Sequence, residues 1–233
     1  MNRLLVTGAN GQLGLALQEA AKDSNLEIVF MDKNSLDITN TKAIKEVFAS
    51  QSFDVCINAA AYTHVDGAEA NKELAYTINA AAVETLAKVC KQHGCWLIHI
   101  STDYVFDGTL DRPYTPEDMP NPLNVYGASK LASDKIFVAA NNLSGSLDTR
   151  FTVVRYGNVI GSRGSVIPFF NDLIKRGHDT LPVTDDRMTR FWITLDQGVK
   201  FVLSCLAKMT GAEIFVPKRL FAHQMIEEAM ISA

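Results

Sequence analysis

Two kinds of hydrophobic pattern alternate along the chain. Short apolar runs are typical of strands buried in a parallel sheet, and stretches with an apolar residue at every third or fourth position are typical of helices that cover such a sheet. The predicted strands span 3–7, 27–32, 54–58, 95–100, 152–156 and 212–216, and the predicted helices span about 13–21, 40–50, 73–93, 124–142, 168–176, 194–209 and 221–231. This order predicts the α/β class, with a doubly wound parallel sheet.

The composition of the 233 residues argues against several classes of protein. The chain is 47% hydrophobic and 21% charged and has a net charge of −4, so we expect no nucleic-acid partner. No apolar run approaches the roughly 20 residues that span a bilayer, and the first strand begins at once, so we expect no membrane segment and no signal peptide. Cys56 and Cys205 lie in apolar runs, which favours buried thiols in a cytoplasmic protein. The five histidines form no cluster, so we predict no metal site and interpret them as structural or surface residues.

A glycine-rich turn joins the first predicted strand to the first predicted helix. Its glycines are Gly8, Gly11 and Gly14, in the spacing G-x-x-G-x-x-G. In this context glycines allow a tight turn and a close approach of the backbone to a pyrophosphate, which would lie at the helix N-terminus. A glycine triplet alone is weak evidence, but strand, turn and helix in this order predict a dinucleotide-binding loop. We assign cofactor binding to Gly8, Asn10, Gly11, Gln12, Leu13 and Gly14.

The ends of the second and third predicted strands suggest further cofactor contacts. Asp32 lies where a carboxylate would accept hydrogen bonds from the adenosine ribose, although it could also be a simple turn residue. Lys33 beside it could offset its charge, so the choice between NAD(H) and NADP(H) stays open. Small residues after the third strand leave room for a flat ligand. The predicted cofactor set also contains Asp32, Asp37, Ile38, Ala59, Ala60, Ala61, Asn79, Tyr126 and Lys130.

These signals divide the chain into two predicted regions. We expect residues 1–160 to form an NAD(P)-binding Rossmann domain. We expect residues 161–233 to form a small substrate lobe that is interleaved with the sheet and lies over the carboxyl ends of its strands.

Candidate catalytic residues follow the fourth strand and open the helix at 124–142. Tyr126 and Lys130 are four residues apart and therefore share one helix face. An ammonium beside a phenol favours the phenolate, which would lower the phenol pKa from about 10 toward neutrality. The pair could equally be an ordinary helix face. Thr102 follows the fourth predicted strand, at the end where parallel sheets bind ligands, although strand-end hydroxyls often only cap turns.

Four motifs together carry a resemblance to a known family. They are Thr7-Gly8-x-x-Gly11-x-x-Gly14, Asn58-Ala-Ala-Ala-Tyr-Thr63, Ser101-Thr-Asp-Tyr-Val-Phe-Asp-Gly108 and Tyr126-x-x-x-Lys130. The chain resembles the extended short-chain dehydrogenase/reductases, and residues 1–130 resemble the dTDP-4-dehydrorhamnose reductases in particular. The resemblance implies a catalytic triad, in which Thr102 holds a 4-keto oxygen, Tyr126 donates a proton to that oxygen, and Lys130 binds the nicotinamide ribose and tunes the phenol.

The second half of the chain resembles a different family. Residues 131–218 are similar to the inverting UDP-N-acetylglucosamine 4,6-dehydratases, through stretches such as Arg155-Tyr-Gly-Asn-Val-Ile-Gly-Ser-Arg-Gly-Ser165 and Arg187-Met-Thr-Arg-Phe-Trp-Ile193. We therefore expect a chimaera whose two parts meet at the Tyr126–Lys130 motif. Because both families usually continue beyond residue 218, we also expect part of the substrate lobe to be missing. Arg190 is a candidate for binding the substrate pyrophosphate, or a solvated loop charge.

The residues after Thr102 separate two chemistries. The dehydratases carry an acid and a lysine there to eliminate water, whereas this chain has Asp103 and Tyr104. The resemblance thus implies an NAD(P)H-dependent reductase of a nucleotide-linked 4-keto sugar. The alternatives are a dehydratase and a cofactor-binding protein without turnover. Substrate contacts are assigned to Val65, Asp66, Thr102, Asp103, Tyr104, Asn158 and Arg190.

The family likeness also implies a homodimer. Its interface would be built from the helices at 73–93 and 124–142. The apolar positions of both helices could equally face the sheet of their own chain.

Overall fold

Strands and helices alternate through most of the molecule. The computed structural model describes residues 3–22, 24–110, 112, 114–142, 149–162, 165–183, 189–217 and 221–224. The strands are β1 (Arg3–Thr7), β2 (Glu27–Met31), β3 (Val55–Asn58), β4 (Trp96–Thr102), β5 (Phe151–Tyr156), β6 (Asn158–Val159), β7 (Thr189–Ile193), β8 (Ile214–Phe215) and β9 (Phe221–Gln224). The helices are α1 (Gln12–Ala21), α2 (Thr41–Ser50), α3 (Val65–Ala70), α4 (Lys72–Tyr76), α5 (Ala82–Gln92), α6 (Val125–Asn142), α7 (Val166–Lys175) and α8 (Leu195–Leu206).

The main sheet confirms the predicted fold class. It has six parallel strands in the order β2-β1-β3-β4-β5-β8. The chain passes from β1 through α1 to β2 on one side, and then through α2 to β3 on the other side of β1. This reversal opens a crevice at the carboxyl ends of β1 and β3, where sheets of this kind bind ligands.

Helices cover both faces of this sheet because successive strand residues point to opposite faces. On β1, Leu5 packs with residues of α2, α5 and α6, including Phe137. Its neighbours Leu4 and Val6 pack on the other face with residues of α1 and α8, including Val202. These side chains are almost fully buried. The two cores hold α1 and α6, which carry the predicted site residues, rigidly against the strand ends.

Most predicted elements are confirmed to within a few residues. The helix predicted at 73–93 is one helical run in which a π-helical turn, Thr77–Ala81, joins α4 to α5. The helix predicted at 221–231 is wrong in its first residues, since β9 pairs antiparallel with β7, and residues 225–231 lie outside the described part. The small sheet β6-β7-β9 was not predicted. Its short strands depend on pairing partners far away in the chain, which local patterns do not reveal.

The division into a domain at 1–160 and a lobe at 161–233 stays a prediction. From the second region, β8 pairs with β5 of the main sheet, and α8 packs against α1. Within the residues that the structure describes, no helix combines the length and the apolar character needed to cross a bilayer.

Candidate active site and cofactor cleft

A cleft of about 520 Å³ opens at the carboxyl ends of the main-sheet strands. Its walls come from the start of α1, the segment after β3, the end of β4, α6 and the residues around β6 and α7. Thirteen of the predicted site residues line it: Gly11, Gln12, Leu13, Ala59, Ala60, Ala61, Val65, Thr102, Asp103, Tyr104, Tyr126, Lys130 and Asn158. The fold therefore brings the predicted cofactor loop and the predicted catalytic residues to one cavity.

The glycine loop has the shape that a close ligand requires. Gly8 has a φ of +68°, and a Cβ atom there would lie 2.6 Å from the backbone nitrogen of Ala60. A Cβ atom on Gly14 would lie 2.5 Å from the carbonyl oxygen of Gly8, so α1 packs directly on the turn. Gly11 caps α1, and within the described residues no side chain caps this helix end. A helix N-terminus left open beside a cavity is suited to an anion such as a pyrophosphate.

Asp32 lies at the end of β2, beside this loop. One carboxylate oxygen accepts a hydrogen bond from Asn10 Nδ2 at 2.6 Å, and the other accepts from the amide of Ser35 at 2.9 Å and from its hydroxyl at 2.7 Å. The hydrogen bonds from Ser35 lower the pKa of Asp32 below its ordinary value. The carboxylate is therefore ionised and held in place at the loop, although neither Asp32 nor Asn10 borders the cleft itself.

Three residues of the predicted cofactor set have other partners in the structure. Asn79 is buried in the π-helical turn, where its Oδ1 accepts from the Tyr62 amide at 2.8 Å and its Nδ2 donates to Ser129 Oγ at 2.9 Å. These bonds tie the segment after β3 to α6, so Asn79 supports the cleft wall without lining it. Asp37 accepts from the Thr39 amide at 2.9 Å, and Ile38 is buried. Neither of them borders the cleft.

The triad residues meet where α6 begins. The Thr102 hydroxyl lies near the Tyr126 phenol and lowers its pKa, and it donates a hydrogen bond to the Asp103 carboxylate at 3.2 Å. Lys130 is only 2% exposed and donates from Nζ to the carbonyl oxygen of Ile100 at 2.5 Å. The absence of a side chain at Gly127 lets α6 come this close, because a Cβ atom there would lie 2.1 Å from the carbonyl oxygen of Tyr104.

The predicted lowering of the phenol pKa is wrong for this structure. Burial raises the pKa of Tyr126 above its ordinary value, and the hydrogen bond from Thr102 opposes this only in part. Burial also lowers the pKa of Lys130 to about 8, while the nearby carboxylate of Asp134 works against that shift. The Lys130 ammonium points at the Ile100 carbonyl instead of the Tyr126 phenol. The four-residue spacing of Tyr126 and Lys130 could not reveal this direction. At neutral pH, Tyr126 therefore keeps its proton and can act as a donor.

The predicted substrate contacts are only partly brought together. The Tyr104 ring packs edge-on against Tyr126, with 5.6 Å between the ring centres. Val65, Asp103 and Asn158 also line the cleft, whereas Asp66 is exposed in the first turn of α3 and does not. Arg190 belongs to β7 by its backbone, and its side chain lies outside the described part of the structure.

Several cleft residues were not predicted. Tyr156 ends β5 beside Thr102, and the strand-end rule that selected Thr102 could have found it. Ser165 and Trp192 reach the cleft from segments that are distant in sequence, and no local signal marks them. Beneath the site, Arg155 and Asp134 form a buried ion pair at 2.9 Å. It depends on a contact between β5 and α6 that only the folded chain reveals.

Comparisons with known proteins support the predicted resemblances. An inverting UDP-N-acetylglucosamine 4,6-dehydratase of Campylobacter jejuni is 49% identical over 171 residues, which are 73% of this chain and 47% of that protein. A dTDP-4-dehydrorhamnose reductase of Aggregatibacter actinomycetemcomitans is 41% identical over 159 residues, which are 68% of this chain and 54% of that protein. The chain thus spans about half the length of these curated relatives.

A solved structure extends the likeness over almost the whole chain. The crystal structure of dTDP-4-dehydrorhamnose reductase from Bacillus anthracis in complex with NADP has a TM-score of 0.85 and 30% identity, and the match covers 99% of this chain and 79% of that one. The resemblance to both enzyme families is confirmed, whereas a chimaeric origin stays a prediction. The sequence model of one family, described as the RmlD substrate binding domain, matches residues 1–204. Since this match covers well over half of the chain, the protein belongs to the RmlD substrate binding domain family.

Proposed function

We propose that this protein is an NAD(P)H-dependent reductase of a nucleotide-linked 4-keto sugar. The observation that carries the proposal is the meeting of Thr102, Tyr126 and Lys130 in one cleft with the open N-terminus of α1. A proton donor and a dinucleotide site are the two parts that reduction of a ketone needs. Relatives named as dTDP-4-dehydrorhamnose reductases support this choice of reaction.

The residues of the first domain fit a nicotinamide dinucleotide. Gly11, Gln12 and Leu13 would hold the pyrophosphate at the start of α1, where Gly8 and Gly14 leave no room for side chains. Asp32 would accept from the adenosine ribose, and the choice between NAD(H) and NADP(H) stays open. When bound, the reduced cofactor supplies a hydride to the sugar carbonyl.

The chain's own residues would handle the oxygen and the proton. The Thr102 hydroxyl can orient the 4-keto oxygen, and Tyr126 can donate its proton to that oxygen as charge develops on it. The raised pKa of Tyr126 keeps the donor protonated before each turnover. The Lys130 amine, which lines the same cleft, would bind the nicotinamide ribose in its protonated form.

Removal of one hydroxyl tests the proposal. Tyr126→Phe should lower kcat for a dTDP- or UDP-linked 4-keto sugar by about 10²–10⁴-fold, because general acid catalysis contributes that much. Turnover is followed by the absorbance of the reduced cofactor. The matched control is Tyr76→Phe, which removes a hydroxyl from a residue of α4 that is 42% exposed. Wild-type turnover in Tyr126→Phe would overturn the proposed role of Tyr126. If the wild type and the variants all bind the cofactor and none turns over a 4-keto sugar, the protein would instead be a cofactor-binding protein without turnover.

A dehydratase activity is the second candidate, because a relative named as a dehydratase is 49% identical. Tyr104 argues against it, since this residue lines the cleft at the place where the resemblance expects a lysine base. Tyr104→Lys should create or raise the elimination of water from UDP-N-acetylglucosamine, measured by mass spectrometry of the product, whereas Tyr104→Phe should not. Efficient elimination by the wild-type protein would replace the reductase proposal.

A cytoplasmic homodimer is part of the same proposal. Four buried free cysteines suit a reducing compartment. Near the predicted interface, Leu74 and Tyr76 of α4 and Val138 of α6 are 47%, 42% and 37% exposed. Analytical ultracentrifugation should give a dimer for the wild type and a monomer for Val138→Glu. A monomeric wild-type protein would contradict the dimer.

A further inference from the structure

A row of buried polar side chains crosses the sheet directly beneath the candidate active site. Thr7, Asn58 and His99 are register partners on β1, β3 and β4, so their side chains lie on one face of the sheet. All three are 0% exposed, and Ser133 of α6, also fully buried, closes the row. The cleft lies on one side of this row, and the Lys130 amine lies at the end of the row that His99 forms.

The hydrogen bonds of this row fix the orientation of the Asn58 amide. Its Oδ1 accepts from the Thr7 hydroxyl at 2.6 Å and from the Ala60 amide at 3.2 Å. A backbone amide can only donate, so the oxygen must be on this side and the nitrogen on the other. Asn58 Nδ2 therefore points at His99 Nδ1, which is 3.1 Å away.

This orientation in turn fixes the tautomer of His99. Because Nδ1 accepts from Asn58, the proton of the neutral ring must be on Nε2. Nε2 lies 3.0 Å from Ser133 Oγ, and the Ser133 hydroxyl donates to the backbone carbonyl of Lys130 at 2.6 Å. Every member of the row has a partner, so the row avoids the roughly 1–3 kcal/mol cost of a buried polar group left unpaired.

The fixed ring constrains the Lys130 amine. Lys130 Nζ is 3.3 Å from His99 Nε2, but that nitrogen carries the ring proton and donates it to Ser133 Oγ, so it cannot accept a hydrogen bond from the amine. The amine is thereby directed to the Ile100 carbonyl and to the cleft. The ring is itself held in place, since it packs on Phe137 with 5.1 Å between the ring centres. Protonation of His99 would place two cations 3.3 Å apart in a buried site, and burial and Lys130 together hold the His99 pKa well below 6.5.

We infer that His99 is a positioning residue, whose neutral ring with its proton on Nε2 sets the place and the charge of Lys130 in the cleft. The inference deepens the proposed function and rests on it for the role of Lys130. His99 touches neither the predicted cofactor loop nor the cleft directly. It connects Asn58, which anchors the segment 59–61, to the amine that would bind the nicotinamide ribose.

Other charged groups around Lys130 do not replace this role. On α6 the carboxylate of Asp134 lies one turn further on and raises the pKa of Lys130, but it is already paired with Arg155 of β5 at 2.9 Å. Asp103 follows the end of β4, and Tyr126 is one turn earlier on α6. His99 Nε2, by contrast, lies 3.3 Å from the Lys130 amine.

The first test is the tautomer itself, which needs no turnover and no ligand. Long-range ¹H–¹⁵N spectra of the labelled wild-type protein should show a neutral His99 ring with its proton on Nε2 throughout about pH 5–8, the range in which a free histidine titrates. Loss of the signals in His99→Asn assigns them. A proton on Nδ1, or titration within this range, would overturn the inference.

The second test is the pH dependence of NADPH binding, measured by fluorescence. In the wild type, affinity should fall above about pH 8, as the Lys130 ammonium loses its proton. His99→Asn keeps an acceptor for the Asn58 amide but admits water to the Lys130 amine. The midpoint of the pH dependence of NADPH binding should therefore rise by about one pH unit, which is a tenfold change in the proton affinity of Lys130. His99→Gln restores a donor near the Nε2 position and should restore the wild-type midpoint.

The outcomes separate a positioning role from a structural one. Reduced affinity in His99→Asn with an unchanged midpoint would mean that His99 only supports the fold, and would overturn the inference. Failure of the wild type to bind NADPH or NADH would instead overturn the proposed function. In that case the ring spectra would still decide whether His99 is held as the structure shows.

Discussion

A single methyl group at the start of α6 should disable the active site. Gly127 lies in the first turn of that helix, next to Tyr126. A Cβ atom there would lie 2.1 Å from the carbonyl oxygen of Tyr104 and 2.9 Å from its carbonyl carbon. Both atoms belong to the backbone of the turn Asp103–Val105, so no flexible side chain can move aside. In Gly127→Ala the helix and the turn must therefore move apart.

The size of the effect follows from this geometry. The 2.1 Å contact has to open by roughly 0.9 Å to reach the shortest distance seen for real Cβ atoms, about 3.0 Å. Thr102 precedes this turn and Tyr126 precedes Gly127, so the movement separates the two hydroxyls. A misplacement of about 1 Å costs on the order of 10²-fold in rate. Overpacking should cost about 1–3 kcal/mol of stability, and the higher helix propensity of alanine returns about 1 kcal/mol of that.

The assay compares two glycine variants. Gly198 of α8 is the matched control, because a Cβ atom there meets nothing within 4 Å. Gly198→Ala should keep wild-type kcat and gain about 0.5–1 kcal/mol of unfolding free energy. Gly127→Ala should lose about 10²-fold in kcat for a 4-keto sugar, measured well below its unfolding temperature. Wild-type kcat and stability in Gly127→Ala would refute the argument that this close contact holds the triad together.

Further predictions concern the ion pair, the cofactor loop and the titration of the site. Arg155→Met should cost about 3–5 kcal/mol in urea unfolding, because it leaves the Asp134 carboxylate buried without its cation, and Asp134→Leu in the same chain should recover most of the loss. No recovery would mean that the two residues do not act as a pair. Gly14→Ala should weaken NADPH binding about tenfold or more in a fluorescence titration, since its Cβ atom would lie 2.5 Å from a backbone carbonyl of the loop. Asp32→Asn should raise the NADPH-to-NADH affinity ratio in calorimetry, because a carboxylate there repels a 2′-phosphate. Reductase activity should fall above about pH 8, because the lowered pKa of Lys130 means that its ammonium is lost there, and a profile that is flat to pH 10 would contradict this assignment.

Local patterns were sufficient for the main sheet and its helices. Strands such as β3, with four fully buried residues, show continuous apolar runs because both of their faces are covered. The π-helical turn at Thr77–Ala81 and the small sheet β6-β7-β9 escaped prediction. The π-helical turn and the small sheet both depend on contacts with residues that are distant in the sequence.

For the candidate site, the sequence identified residue types and left their environments undetermined. It selected Tyr126 and Lys130 from their spacing, and the structure places both at the cleft. It could not show that Lys130 points at the Ile100 carbonyl, so the inferred effect on the phenol had the wrong sign. A pKa depends on burial and on neighbours within a few ångströms, and neither can be read from spacing.

The fold class, the candidate dinucleotide loop and the candidate triad could be predicted because they depend on periodicity and on motifs within short stretches. The folded chain was needed to show that Asn79 supports the cleft wall, that Asp134 and Arg155 pair beneath the site, and that His99 lies against Lys130. Each of these contacts joins residues that are more than 20 positions apart, since the partners differ by 50, 21 and 31 in residue number. A strand register and a helix that packs on the sheet bring such groups together, and no local pattern in the sequence contains either.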